Sequence, residues 1–186
     1  MFRFVIVPHN LRKEVRMTNT KVHRNPGGLA VPVPASTKIS DGYIRIGKNV
    51  TIGENVTIGD RVDLGQDAVI GDNVVLGDGT KIGQRSKIGN GSDLDMNVIV
   101  GNDVVIMEKV IVKDRVTLMN NVSVSSGGEL NSHVTLNSDV VLDECVTIGE
   151  GTVVASGVTV PAGWLIGSGK FVNPGNAATG YLPHIH

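Results

Sequence analysis

At 186 residues, with 17 Lys and Arg against 18 Asp and Glu, the chain suits one domain, and its balance of charge argues for no polyanionic partner. Cys145 is the only cysteine, which excludes an intrachain disulfide and is compatible with a reducing, cytoplasmic setting. Aromatic residues are 3% of the chain while glycine numbers 24; an ordinary globular core uses more rings, and a core too thin to hold one uses few.

Residues 1–39 come first and differ from the rest. They carry seven of the basic residues, Arg3, Arg12, Lys13, Arg16, Lys21, Arg24 and Lys38, against the single acid Glu14. The remainder is therefore acidic. We read the segment as a basic N-terminal arm, a strand or two plus the irregular approach "NPGGLAVPVPAS", lying on the acidic body of its own or a neighbouring subunit. Nucleic acid is not expected as a partner. The apolar run Phe4–Val7 is too short for a signal peptide, and no segment is long enough to cross a membrane.

From Ile46 to Val172 every sixth residue is Ile, Leu or Val, 22 positions with no insertion. Numbering each unit from that aliphatic residue, the fifth position is also apolar or small, from Val50 and Val56 through Thr80, Ser86 and Ser92 to Val98–Val122. Both positions point inward. The fourth position is rich in Asn, Asp and Gly, such as Asn49, Asn55, Asp67, Asn73 and Gly79, the residues that best tolerate positive φ. A short strand and a left-handed corner every six residues make three units close a triangle of 18. Stacked at roughly 4.8 Å, such triangles form a parallel β-solenoid of about seven coils, a prism roughly 34 Å long. The domain spans 40–172, with Ser40 in the first position of a preceding unit and Ile44 in its fifth. Trp164 is read as a lid over the last full coil, and 173–186 as a C-terminal tail.

The stacking period of 18 places residues in columns. Asp67, Arg85, Asp103, Asn121 and Asp139 form a charge ladder that relieves stacked like charges. Arg115 and His133 fall one coil apart on an outer corner. Thr80, Ser86 and Ser92 predict a narrower coil whose hydroxyls bond neighbouring backbone. Outward sixth positions become apolar along the chain. On the face through Leu64, Val100, Leu118 and Leu136, we expect Val69, Val105, Met119 and Val141 to make one apolar strip, interrupted by Lys87, that a monomer would not leave bare.

The repeat resembles the hexapeptide-repeat superfamily over about residues 40–172. The resemblance implies an all-β, single-stranded parallel β-helix wound left-handed, against the usual crossover rule, and a homotrimer of prisms around a three-fold axis that buries the apolar strip. Many members are coenzyme-A-dependent acyltransferases. Those acting on sugar amines carry a catalytic His at the third position of a unit, followed by Asp-Cys, as general base on the acceptor amine or hydroxyl. Here "SSGGELNSHVTLNSDV" has Ser132 third and His133 fourth, without Asp-Cys. The resemblance implies His133 as the base, a coenzyme A thioester along the groove between prisms, and Arg115 near its phosphates or the acceptor. "FVNPGNAATGYLP" loosely resembles the exit after the last coil in these enzymes. The γ-class carbonic anhydrases share the fold and bind metal through histidines, two of them five apart. His9, His23, His133, His184 and His186 include no such pair, so no metal is expected. The repeat runs without the long loop that walls many acyltransferase sites. The alternative reading is a non-catalytic β-helix, a rigid scaffold or assembly module.

Overall fold

The computed structural model describes residues 20–25 and 30–177. Most of the basic arm, part of the tail, and His9, His184 and His186 lie outside the described residues. The chain enters through an antiparallel hairpin, β1 (Thr20–Arg24) and β2 (Ala30–Pro34), in which Val22 faces Pro32. Two-residue strands follow: β3 (Lys38–Ile39), β4 (Arg45–Ile46) and then one every six residues to β25 (Phe171–Val172). A single helical turn, α1 (Pro174–Ala177), closes the described chain.

The strands sort into three sheets. Face I holds eight, from Arg45–Ile46 to Phe171–Val172. Face II holds seven, from Thr51–Ile52 to Thr159–Val160, and face III eight, from Lys38–Ile39 to Leu165–Ile166. The chain visits them in that order, so the prism has three corners. All pairings within the faces are parallel, and Leu64 lies between Ile46 and Ile82, each 18 residues away. The first pair departs from this period: Ile39 lies opposite Ile58, 19 residues on. Ile39, not Ser40, therefore holds the first position, and the unit before Ile46 has one extra residue. The ladder thus takes in Lys38–Ile39, inside the segment read as the arm.

First and fifth positions fill the core. Leu76, Leu94, Leu130 and Leu136 are fully buried, as are Val74, Val98 and Val134. Burial weakens only at the ends, where Val50, Ile52 and Trp164 are half-buried against the cluster. Thr80, Ser86 and Ser92 are buried in line with their inward register. Ser86 Oγ donates to Gly101 O (2.8 Å) and accepts from Val104 N (3.1 Å); Ser92 Oγ does the same with Met107 O (2.9 Å) and Val110 N (3.2 Å). Thr152 repeats the arrangement with Gly167 O and Lys170 N. Ser86, Ser92 and Thr152 each bridge two backbone groups of the next coil, and Thr80 Oγ1 donates to Asp95 O (3.1 Å), so these buried hydroxyls are all met.

The corners follow from two columns. Every fourth position from Asn49 to Gly169 has positive φ, including Arg61, Arg85, Lys109, Arg115, His133 and Cys145 at φ near 56–62°. These six hold the left-handed conformation without being Gly, Asn or Asp. At the third position, Asp or Asn side chains accept from the backbone one coil earlier. Asp72 Oδ1 takes Glu54 N–H, Asn90 takes Asp72 N–H, and Asn120 takes Asn102 N–H, all at 2.8–2.9 Å. The second position is tight: a Cβ on Gly83 would sit 2.2 Å from Gly101 O, which is why the early coils use glycine there.

The predicted ladder is built. Asn49 donates to Asp67 (2.9 Å), Arg85 makes a two-point contact with Asp103 (2.7 Å each), and Asn121 donates to Asp139 (3.0 Å). Hydrogen bonds from Asn49 and Gln66, then the Arg85 charge, hold the Asp67 carboxyl below its ordinary value. The Arg85 hydrogen bond does the same for Asp103.

The outward apolar residues are arranged differently from the expected strip. Val69, Val105 and Val141 belong to face II, because a sixth-position residue shares a strand with the next unit's first residue. Met119 sits on the corner between faces I and II. Ser123 as well as Lys87 interrupts the row, since Val105 pairs with both.

Candidate functional site

The corner between faces III and I carries the candidate residues. Three successive coils present Arg115, His133 and Glu150. His133 reaches this position through the left-handed turn (φ 62°), and its N–H is held by Asp114 O at 3.0 Å. Imidazole Nε2 lies 3.3 Å from Arg115 Nη1, and Nδ1 lies 3.6 Å from Glu150 Oε1. A guanidinium only donates. Nε2 therefore carries the lone pair toward Arg115, and the proton sits on Nδ1, toward the carboxylate. The His133 side chain is 48% exposed and that of Glu150 66%, so the trio stands on the surface.

Arg115 differs from two other arginines of the prism, Arg45 and Arg85. Arg45 is paired with Asp63 and Arg85 with Asp103. Arg115 meets a histidine instead, which leaves its charge free for an anion, and Lys113 stands two residues away on the same corner. The structure thus brings His133 and Arg115 together as the column reading expects. It adds Glu150, a third-position residue that a search of the fourth-position column alone does not reach.

Other candidates lie apart. Cys145 is exposed on the corner between faces II and III, and Gly127 is its neighbour one coil earlier. It shares no corner with His133. Among the described residues no group of three or more His, Cys, Asp or Glu is placed to hold a metal ion. No helix among them is long and apolar enough to cross a membrane. His23 serves the fold, its Nε2 donating to Ile44 O at 3.3 Å. An open depression of about 380 Å³ lies at the N-terminal end, lined by Asn25, Arg45, Lys48, Asp63, Gln66 and Gln84 among others. It is on face I, coils away from His133.

The geometry defines a parallel β-solenoid built on six-residue units. Residues 61–92 match the sequence profile of the family described as bacterial transferase hexapeptide (six repeats). Over that segment the chain is similar to the hexapeptide-repeat family, and its fold is a parallel β-solenoid. No curated protein sequence matches it. Among solved structures it is similar to a UDP-N-acetylglucosamine acyltransferase of Francisella novicida. The identity is 20%, the match covers 82% of this chain and 72% of that one, and the TM-score is 0.43. It is also similar to a UDP-N-acetylglucosamine acyltransferase of Bacteroides fragilis (18%; 74% and 69%; TM-score 0.46). A third is a hexapeptide transferase family protein of Anaplasma phagocytophilum (16%; 77% and 87%; TM-score 0.44).

Proposed function

We propose that the chain is an acyltransferase of the hexapeptide-repeat kind, using a coenzyme A thioester and an amine or hydroxyl acceptor. The observation that carries this reading is the Arg115–His133–Glu150 stack, with Nε2 at 3.3 Å from the guanidinium and Nδ1 at 3.6 Å from the carboxylate. Arg115 suits the phosphates of the coenzyme because its charge is not spent on a carboxylate, and Lys113 adds a second cation. When bound, the thioester supplies an activated acyl carbonyl. The chain's own residues do the rest. Glu150, with its carboxylate 3.6 Å from Nδ1, favours the tautomer that carries the proton on that side. Arg115, drawn to a phosphate, releases Nε2. His133 Nε2 then takes the proton of the acceptor as general base. The chain works as a homotrimer packed through face II, in the cytoplasm.

Calorimetry with coenzyme A and acetyl-coenzyme A tests the reading. Binding near micromolar that is lost in Arg115→Ala supports it, and silence at millimolar ligand overturns it. The second reading, a non-catalytic scaffold, is favoured by a different observation: among the described residues, no loop from any coil walls His133. Silence toward coenzyme A in a stable, assembled protein would establish that reading.

A further inference from the structure

Every coil offers the next one the same pattern of backbone groups. A sixth-position N–H and a second-position N–H point toward the following coil, where fifth- and first-position carbonyls accept them. Thr51 N bonds Ala68 O and Gly53 N bonds Ile70 O, and the pattern repeats to Ala155 N and Val172 O. The two ends of the prism must break this chain of bonds. An open parallel edge is a template for further pairing.

Both ends of face I are closed by an asparagine side chain. At the N-terminal edge, Asn25 is buried; its Nδ2 donates to Ile46 O (2.7 Å) and its Oδ1 accepts from Ile46 N (2.8 Å). At the C-terminal edge, Asn176 Nδ2 donates to Phe171 O (2.7 Å) and its Oδ1 accepts from Asn173 N (2.6 Å). Each carboxamide donates and accepts as a passing strand would. The hairpin also lays Val33 on the core and His23 on Ile44 O.

The four backbone groups so occupied are mates. Were a second copy placed on the C-terminal end, continuing the 18-residue register, its Ile46 would follow Val172 as the next first position. Asn173 N–H would then meet Ile46 O, and Ile46 N–H would meet Phe171 O. We propose that Asn25 and Asn176 are matched end stops: they occupy complementary edges that otherwise join this chain head to tail with a second copy. Such a junction is heterologous and does not close, so it would propagate as a filament.

The complementarity makes a specific test. Opening the N-terminal end takes Asn25→Ala with Val33→Asp, which removes both the carboxamide and the hairpin's hold on the core. Opening the C-terminal end takes Asn176→Ala. Each variant alone keeps the wild-type mass in sedimentation, because it has one open edge and no mate. An equimolar mixture forms one junction and doubles the mass. The combined variant grows with concentration into filaments with a repeat of roughly 4.8 Å along their axis. A combined variant that keeps its cooperative thermal transition and the wild-type mass overturns the proposal. So does a single variant that polymerises alone. If the combined variant loses its transition, the wild-type chain is examined in urea that releases the Ile46 amide to exchange while central amides stay protected. Growth in mass there supports the end stops, and constant mass overturns them.

Discussion

His133 Nε2 lies 3.3 Å from Arg115 Nη1, across one coil of the prism. The contact satisfies the imidazole lone pair and at the same time occupies the atom a general base needs. The two residues should therefore separate kinetically. His133→Ala is expected to lower turnover by roughly two to four orders of magnitude, with little change in the urea midpoint. Arg115→Ala is expected to raise KM for the acyl donor while kcat falls far less, because it removes a phosphate contact but uncovers Nε2. Steady-state assays of both variants check this. Equal loss of kcat in the two, or loss of fold in His133→Ala, would end the assignment of roles.

The interior polar sites predict a stability effect. Ser86 Oγ serves both Gly101 O and Val104 N, at full burial. Ser86→Ala leaves a buried N–H and a buried carbonyl without that partner. A loss of roughly 1–3 kcal/mol is expected in urea unfolding. A neutral Ser86→Ala would mean that the bridge contributes nothing.

The repeat was legible because its constraint is covalent spacing. A branched aliphatic every six residues has one geometric meaning here, and Ile46 to Val172 hold it without a slip. Columns were legible for the same reason, which is how Arg115 and His133 could be set side by side. What was not legible lies where side chains leave their own column or where the period ends. Glu150 reaches His133 from a third position, so a column of fourth positions does not contain it. Ile39 displaces Ser40 because one extra residue enters the first unit, and a fixed count cannot see it. Val69 and Val105 moved to face II because a sixth-position residue belongs to the strand that follows it. Asn25 and Asn176 lie outside the repeat, and only the folded ends show which backbone groups they serve.

The Arg85–Asp103 pair predicts a response to acid. The Arg85 hydrogen bond holds Asp103 below its ordinary value of 3.8, and Asn49 and Gln66 do so for Asp67. A depressed carboxyl contributes stability that is present above the unfolded value and lost as pH falls through the lower, folded one. Stability should thus decline below about pH 4, and Arg85→Gln should flatten that decline. Both groups are solvent-exposed, so the change is expected to be small. Thermal melts from pH 5 to pH 2 measure it, and an unaltered acid limb in Arg85→Gln would remove the pair from the account.

The last prediction concerns assembly. The outward residues of face I include Arg45, Asp63 and Lys81, and those of face III include Lys38, Asp93 and Glu129. Face II presents Thr51, Val69, Lys87, Val105, Ser123, Val141 and Thr159, with one charge among them. At mid-height it is flanked by two exposed methionines, Met119 at one border and Met107 at the other, 43% and 46% accessible. Methionine adapts to an irregular partner surface, and the outward row of face II carries the fewest charges of the three, although Val75, Ile111 and Leu165 of face III and Ile99 and Phe171 of face I are also exposed. The described part of the arm does not cover it, since the hairpin is spent on the N-terminal end. Face II is thus the surface expected to meet its copies around a three-fold axis. Light scattering should give three chains for the wild type and one for Val105→Glu with Met119→Glu, and a wild-type mass of one chain would overturn the trimer. Face II lies opposite the corner that bears His133. Coenzyme A binding should therefore survive dissociation, and its loss together with the trimer would overturn either the packing through face II or the placement of the site at the His133 corner.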